Sequence, residues 1–410
     1  MAESTDRPPA EAASTAKADR ASTAAIAGWL YEAAALAVAA GLVAGLVVWI
    51  RHGPAPVVRP PIVPGAAAPA PGTTSPGPAS AGPTTTIAAT APAVPSTSMP
   101  YHLLPAGKGL AWADAVQADK DRLILTPGPV GDYQLGDYHS ATANISGGVR
   151  ATLAPEPCGC RPVQVWFAGG SAAFGTGQRD DHTIASDLVR ITGAEGLHVQ
   201  ITNLGVPGYT LWQEYQAVLA RLAGPNRPRP DVVAFYDGFN DMVVSFAEAV
   251  GGNIDFAEPA VFDVTTPFEL VSAAVSTKVL VPLGGPAGVG RTAARRYVRL
   301  RDIVASELAA DGIATAFYLQ PDALATANQR TAALTGDKTF TPAQIDLFAA
   351  MLDAGDPLLA EGPRDLRHIY AGRPTPVFWD LIHTNDAGAL VVAGAIARDL
   401  TPELRRAAGG

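Results

Sequence analysis

Three residues of this sequence have side chains suited to nucleophilic catalysis: Ser171, His383 and Asp380. A serine hydroxyl is a weak nucleophile and needs a neighbouring base, and His383 can accept its proton and later return it to a leaving group. Asp380 stands three residues before His383, where its carboxylate can orient the imidazole and stabilise the imidazolium. These residue types predict acyl transfer through an ester formed on Ser171.

The same chemistry needs hydrogen-bond donors for the negative oxygen that develops on the attacked carbonyl group. The sequence offers three donors: the backbone N–H of Ser171, the backbone N–H of Gly208 and the side-chain amide of Asn240. We expect these groups to form an oxyanion hole. No residue type or spacing singles out the groups that would bind the rest of a substrate.

The elements that must position these residues are predicted strands. The strands Val163–Phe167, His198–Thr202 and Val232–Tyr236 precede Ser171, Gly208 and Asn240 in turn. An apolar, strand-like run at Val377–Trp379 precedes Asp380. Because ligands of open α/β sheets bind beyond the carboxyl ends of the strands, one edge of the sheet would collect all the candidates. Taken alone, the Gly-Gly-Ser171 turn has a structural interpretation in which these residues only shape a loop, and its partners are what favour chemistry.

Helix-like stretches alternate with these strands and with a fourth strand at Ile313–Leu319. The helices are predicted at His182–Ile191, Leu211–Leu222, Ala293–Ala310, Pro342–Leu352 and Ala387–Leu400. Strands that alternate with helices indicate a parallel sheet covered by helices on both faces. One such domain accounts for residues 163–405, with an irregular insertion at 243–290 of the kind that forms functional loops or lids.

Four short blocks, taken in order along the chain, resemble the signature blocks of the SGNH (GDSL-type) hydrolases. They are Gly169-Gly-Ser171, the loop around Gly208, Gly238-Phe-Asn-Asp241 and Asp380-Leu-Ile-His383. The resemblance implies an α/β fold of the flavodoxin-like type, a three-layer α/β/α sandwich with a central parallel sheet, and hydrolysis of esters. It also implies the roles of nucleophile for Ser171, of oxyanion donors for Ser171, Gly208 and Asn240, of base for His383 and of its partner for Asp380. Gly170 departs from the family pattern, which has aspartate before the serine, and this change puts the local turn in question more than the activity.

The spacing Asp-x-x-His occurs a second time, at Asp365 and His368. That pair lies in the charged stretch Glu361–Arg367, which is typical of a solvated surface. Asp380 follows an apolar run and His383 comes just before the last predicted helix, so we predict that the site uses Asp380 and His383.

No metal or cofactor is predicted. The sequence has no His-Glu-x-x-His, and the glycine-containing run Gly169–Gly177 fits neither the dinucleotide nor the P-loop pattern. Cys158 and Cys160 are the only cysteines, and two thiols without a neighbouring histidine are too few for a structural zinc site. They form either a local disulfide or two free thiols, and the sequence leaves both possibilities open.

The chain before residue 163 divides into four parts. Residues 1–23 lack apolar periodicity, which predicts a disordered N-terminal tail. Residues 24–52 contain an uncharged apolar run, Ala33–Ile50, whose length predicts a transmembrane anchor. Residues 53–100 are rich in Pro, Ala and Thr and predict an extended linker. Residues 101–162 predict a lead-in region that packs on the catalytic domain, with a helix near Trp112–Arg122 and a short strand or arm near 144–150.

This order predicts a single-pass protein of the cell membrane, attached through its N-terminal helix, with the catalytic domain outside the cell. The apolar run is longer than that of a typical signal peptide, which favours an uncleaved anchor. A net charge of −9 argues against nucleic acid as a partner. The expected substrate is an ester, with small acyl groups on envelope carbohydrate as the class that suits a tethered enzyme. Two alternatives are an O-acyltransferase that uses the same residues and a non-catalytic binding module, and the oligomeric state stays open.

Overall fold

The computed structural model of the chain describes residues 99–128, 133–225, 228–249, 284–335, 342–359 and 364–409. The predicted tail at 1–23, the predicted anchor at 24–52 and nearly all of the predicted linker at 53–100 lie outside these residues, as does most of the insertion at 243–290. In the part that is described, no helix has both the length and the apolar character needed to cross a bilayer.

The described residues form ten strands and nine α-helices. The strands are β1 (Leu125–Pro127), β2 (Tyr133–Leu135), β3 (Tyr138–His139), β4 (Asn144–Ser146), β5 (Val149–Arg150), β6 (Val163–Gly169), β7 (Val199–Asn203), β8 (Val232–Asp237), β9 (Ala314–Leu319) and β10 (Arg364–Asp365). The helices are α1 (Ala113–Lys120), α2 (Ser171–Phe174), α3 (Ile184–Ala194), α4 (Leu211–Ala223), α5 (Phe239–Ala249), α6 (Gly285–Ala310), α7 (Ala327–Leu334), α8 (Pro342–Leu359) and α9 (Asp386–Gly409).

The centre of the molecule is an eight-stranded sheet in the order β10-β9-β8-β6-β7-β5-β4-β3. The five strands from β10 to β7 are parallel, and β6 and β8 are buried on both faces, which is why they are nearly continuous apolar runs. Alternate residues of β6 enter opposite cores: Phe167 packs with one set of helices and Trp166 with the other. The mixed α/β architecture predicted from the alternation is therefore observed.

Helices cover both faces of this sheet. On one face, α3 and α9 contribute Leu188 and Ile396 to the core that contains Phe167. On the other face, α4 and α6 contribute Val218 and Val304 to the core that contains Trp166. The opposed apolar faces of these helices fix the orientation of the sheet edge that carries the candidate residues.

The sheet is not purely parallel, and this corrects the prediction. The lead-in region adds β5, β4 and β3 as antiparallel strands on the open edge of β7. β4 and β5 form a hairpin whose two-residue turn, Gly147-Gly148, has φ of 56° and 75°. Both residues must be left-handed in such a turn, so glycine suits each position. The added strands cover an edge that would otherwise expose unpaired backbone groups.

Several predicted elements differ in extent. Val377–Trp379 is a buried loop with a single bridge between Phe378 and Thr384, and its apolar character reflects burial and not a strand. The segment after β8, interpreted as a loop, forms α5 at once, and α6 begins at Gly285, eight residues before the predicted start. α9 continues through Pro402 because Leu404 beyond it is buried in the core, which offsets one lost backbone hydrogen bond.

Candidate active site

Ser171 is the first residue of α2, directly after β6 and the two glycines that end it. A side chain at Gly169 would meet the Tyr236 carbonyl oxygen at 2.3 Å, because β6 and β8 approach closely at this point. The turn therefore needs glycine for space. It delivers the Ser171 side chain to the carboxyl edge of the sheet, where 9% of the residue is exposed.

A second contribution to the Ser171 turn comes from Arg150 on β5, a residue not predicted to matter. Its guanidinium is buried and donates hydrogen bonds to the carbonyl oxygens of Phe174 at 3.1 Å, Gly175 at 2.6 Å and Gln178 at 2.6 Å. These carbonyls belong to the last residue of α2 and to the turn after it. Arg150 thus fixes the end of the helix that begins with Ser171. Its place in a two-residue strand left no signal in the sequence.

Ser171, His383 and Asp380 form one hydrogen-bonded chain. The Ser171 Oγ lies 2.7 Å from His383 Nε2, and His383 Nδ1 lies 2.6 Å from Asp380 Oδ2. Asp380 can only accept at neutral pH, so the proton between them belongs to Nδ1, and Nε2 is free to accept the Ser171 proton. The arrangement can carry a proton away from the hydroxyl group and stabilise the imidazolium that results.

The Asp380 carboxylate is held in place by its own loop. Its Oδ1 accepts hydrogen bonds from the backbone N–H groups of Ile382 at 2.9 Å and His383 at 2.8 Å. Burial alone would raise the pKa of Asp380, but the charge and hydrogen bonds of His383, with Lys120 beyond it, hold that pKa below its usual range. Asp380 is therefore ionised at neutral pH.

The predicted oxyanion donors Gly208 and Asn240 come from the loop before α4 and from the start of α5, which meet beside Gly170. Gly208 has φ of 88°, a left-handed conformation that favours glycine, and its loop leads into α4. The Asn240 amide, on the first turn of α5, donates to the Tyr209 carbonyl oxygen at 2.8 Å and keeps a second N–H. Within the described residues, no hydrogen bond engages the backbone N–H of Ser171 or of Gly208. The two backbone N–H groups and one N–H of the Asn240 amide are thus not engaged by other hydrogen bonds in the described part of the chain.

The departure at Gly170 has a steric explanation. A Cβ atom at this position would lie 2.4 Å from the Asn240 side-chain nitrogen and 3.2 Å from the Tyr209 carbonyl oxygen. An aspartate could not stand here without moving the Asn240 amide. Glycine before the serine is therefore matched to the close approach of the Asn240 loop in this chain.

A buried carboxyl cluster joins the two donor loops. Asp241 Oδ2 accepts a hydrogen bond from the backbone N–H of Leu211 at 3.2 Å, which ties the start of α5 to the start of α4. Burial, followed by the charge of Asp237, raises the pKa of Asp241 to about 8. Burial also raises the pKa of Asp237 to about 6 and that of Glu214 well above its usual value. Of these three carboxyl groups, only Asp241 belongs to a block that resembles the hydrolase family. Its hydrogen bond to the start of α4 was not predicted.

The second Asp-x-x-His pair, Asp365 and His368, does not form the contact that joins Asp380 to His383. Asp365 pairs with the Arg367 guanidinium at 2.7 Å on the far edge of the sheet, and no hydrogen bond joins it to His368 among the described residues. His139 lies 3.3 Å from the Asn144 side chain, and His182 lies 3.5 Å from Asp181. None of these histidines meets a serine.

Cys158 and Cys160 are joined by a disulfide, which decides between the two states left open by the sequence. The sequence predicted no histidine beside these cysteines, and this is wrong in the folded protein. His198 is distant in sequence but lies within 4.8 Å of both sulfurs. The two sulfur atoms are bonded to each other, and a cysteine has to be a free thiolate to bind zinc. In this oxidised state the group does not fit a metal ion.

A cavity of about 440 Å³ lies on the α4 and α6 side of the sheet. Its lining includes Thr210, Trp212, Asp241, Arg295 and Arg299. Ser171, Asn240 and His383 are not among its lining residues. The cavity is thus a neighbour of the donor loops and does not hold the Ser171 hydroxyl group.

In comparisons with known proteins, this chain is similar only to solved structures. No protein-family model matches the sequence, and no curated protein does. An acetyl xylan esterase structure is 15% identical, with 58% of this chain and 100% of the other covered at a TM-score of 0.33. A lipase from a goat rumen metagenome is 13% identical, with 57% and 97% covered at 0.36. A member of the lipolytic protein G-D-S-L family from Veillonella parvula DSM 2008 is 13% identical, with 58% and 98% covered at 0.30. Values in this range do not assign an activity, so the proposal below is based on the geometry of the site.

Proposed function

We propose that this protein is a serine esterase that hydrolyses ester groups through an acyl-enzyme on Ser171. The observation that carries the proposal is the continuous hydrogen-bond chain from Ser171 Oγ through His383 to Asp380, with distances of 2.7 Å and 2.6 Å. The three available donors around Ser171 support it, since acyl transfer needs both a nucleophile and an oxyanion hole.

In the first half of the reaction, His383 Nε2 takes the proton of Ser171 as Oγ bonds to the ester carbonyl carbon. The carbonyl π electrons move to oxygen, where the N–H groups of Ser171 and Gly208 and the Asn240 amide stabilise the charge. When the tetrahedral intermediate collapses, the bond to the alcohol oxygen breaks and His383 returns the proton to that oxygen. Asp380 stabilises the imidazolium between these steps.

In the second half, water replaces the alcohol. His383 removes a proton from the water as its oxygen attacks the acyl carbon, and the proton then passes to Ser171 Oγ as the acyl–serine bond breaks. The products are a carboxylic acid and the original hydroxyl group. If a sugar hydroxyl reached the acyl-enzyme in place of water, the same residues would perform O-acyl transfer.

We further propose that the substrate is a small O-acyl ester on carbohydrate of the cell envelope, reached by a domain tethered outside the membrane. Two sequence features support this: the uncharged run Ala33–Ile50 and the Pro-rich stretch that follows it. A spacer of PPII character extends at about 3.1 Å per residue, so it can carry a catalytic domain well beyond a bilayer surface.

The test uses the full-length chain in detergent, with a fluorophosphonate probe and aryl esters of increasing acyl length. We expect covalent labelling and ester turnover in the wild type, and loss of both in Ser171→Ala. His383→Ala should lower turnover by about 10³-fold or more.

The second Asp-x-x-His supplies the matched control. His368→Ala removes a histidine of the same spacing away from Ser171, and we expect it to keep wild-type turnover. Absence of labelling in a folded wild-type protein would refute the hydrolase proposal and leave a binding module. Labelling with negligible turnover would identify a transferase that lacks its acceptor.

A further inference from the structure

The segment Met99–Lys120, here called the arm, packs on the loop that carries Asp380 and His383. The Tyr101 ring stacks on Trp379 with centroids 4.4 Å apart and planes 6° apart, and Trp112 meets the same indole edge-on at 6.1 Å. Trp379 is buried and is the residue just before Asp380. The arm therefore covers the indole next to the candidate catalytic carboxylate.

The opposite contacts of Trp379 are with the Ser171 region. Its indole N–H donates to the Gly177 carbonyl oxygen at 3.0 Å, and a Cβ at Gly177 would lie 2.5 Å from the indole ring. Farther along the loop, the Asn385 amide donates to the Ala106 carbonyl oxygen in the arm at 2.9 Å. The arm, the Asp380 loop and the chain after Ser171 are thus packed as one unit.

The arm ends at Lys120, the last residue of α1, beside the carboxylate. Lys120 Nζ lies 3.9 Å from Asp380 Oδ2, the same oxygen that accepts from His383 Nδ1. Among the described residues, Lys120 is the partner of Asp380 that carries a positive charge while His383 is neutral. The arm thus brings a positive charge to the candidate triad from about 260 residues earlier in the sequence.

We propose that Lys120 is a positioning residue of this site, which holds Asp380 ionised with its Oδ2 directed to His383. The inference rests on the esterase proposal and extends it to a residue outside the signature blocks. A cation near Asp380 also opposes the addition of a proton to the imidazole, since two positive charges would then share one carboxylate.

The other charged groups near this pair do not reverse that sign. Burial raises the pKa of Tyr101 to about 12, so the phenol is neutral in the working range. Asp121, the next residue after Lys120, adds one negative charge on the same side. The net effect on His383 therefore comes from the balance of Asp380 against Lys120, and removal of Lys120 leaves the carboxylate unopposed.

The experiment is the pH profile of kcat/KM for an aryl ester, measured with the full-length chain. In Lys120→Met we expect the acid limb to move up by about half a pH unit, as for a unit charge acting over roughly 6 Å through a water-like medium. Lys120→Arg keeps the charge and should restore the wild-type limb. Because the Lys120 side chain is 40% exposed, the shift should shrink in about 1 M salt.

Lys108 offers the matched control, since it is an exposed lysine of the same arm without a carboxylate partner among the described residues. Lys108→Met should leave the acid limb unchanged. An unshifted limb in Lys120→Met, or a uniform loss of rate with a lowered melting temperature and no shift, overturns the inference. If Lys120→Met does not fold, Lys120→Gln carries the same expectation. Absence of Ser171-dependent labelling in the wild type would instead overturn the esterase proposal.

Discussion

At the residue scale, the position before Ser171 shows how closely the donor loops are packed. Gly170 has an ordinary φ of −79°, so its backbone would accept other residues. What excludes them is the Asn240 side-chain nitrogen, 2.4 Å from where a Cβ would stand. The atom that must move belongs to the proposed oxyanion donor Asn240, and the other close neighbour is the Tyr209 carbonyl oxygen that accepts from it. A change at Gly170 should therefore affect catalysis before it affects folding.

We predict that Gly170→Ala lowers kcat by about 10²- to 10³-fold, the loss expected when one oxyanion donor is displaced, with KM little changed. Steady-state kinetics on an aryl ester would measure it. Gly193→Ala on α3 is the control, because a Cβ there meets nothing within 4 Å and alanine suits a helix. Wild-type kcat in Gly170→Ala would show that Asn240 is not needed as a donor.

At the element scale, α4 and α5 are joined through carboxyl groups buried at their N-termini. Asp241 accepts from Leu211 N–H, and Asp237 accepts from the Tyr297 hydroxyl at 2.5 Å. Glu214 lies against Asp237, and the interaction of the two carboxyl groups raises the pKa of Glu214 further after burial. Three ionised carboxylates could not share this volume, so the cluster holds protons in the folded state.

This cluster predicts a pH dependence of stability. The folded pKa of Asp241, about 8, is above the value of an unfolded aspartate, so the folded state binds protons more tightly. Its contribution is complete below about pH 4 and is lost as the pH rises through about 8. We expect the wild-type melting temperature to fall between pH 5 and pH 8.5.

The matched variant is Asp241→Asn, whose amide oxygen can still accept from Leu211 N–H but cannot ionise. Its melting temperature should fall by several degrees less over the same interval. This interval lies above the titration of Asp380, whose lowered pKa acts in the opposite direction at acid pH. Parallel curves for the wild type and Asp241→Asn would contradict the assignment.

The elements predicted from the sequence are those with a long apolar signal. β8 is buried over its whole length and β6 over all but one residue, and α3 and α4 have one clear apolar face. The short lead-in strands were predicted only as a short strand or arm near 144–150. The contacts of Arg150 on β5 with carbonyls about 25 residues away were not predicted, because a two-residue strand gives no signal for them. Val377–Trp379 was interpreted as a strand because a buried loop and a buried strand have the same composition.

The residues of the candidate site also fall into two groups, those that could be predicted from the sequence and those that could not. Ser171, His383 and Asp380 could be selected because their blocks occur in the order of the resembled family and follow apolar, strand-like runs. Lys120, Tyr101 and Arg150 could not, because a lysine near a helix end or an arginine in a turn-rich region is common on protein surfaces. Their importance depends on tertiary contacts over long sequence separations, and no local pattern encodes these.

At the scale of the whole molecule, the arm is where the predicted linker at 53–100 meets the described domain. The predicted anchor at 24–52 lies outside the described residues, so the tether remains a prediction from sequence. The predicted linker ends close in sequence to the residue that contacts Asp380, because the first described residue, Met99, is only 21 positions from Lys120. We therefore expect that a membrane tether leaves the arm packed on the Asp380 loop, since Lys120 reaches Asp380 only from the packed arm.

We therefore predict that the full-length protein is recovered with membranes, released by detergent and retained after alkaline carbonate, as expected for a segment that spans the bilayer. Deletion of residues 24–52 should move the protein to the soluble fraction while Ser171 labelling is kept, because the arm is still present. Lys120→Met in the protein that lacks residues 24–52 should shift the acid limb of kcat/KM upward, as it does in the full-length chain. A shift seen in only one of the two backgrounds would show that the tether alters the contact between Lys120 and Asp380.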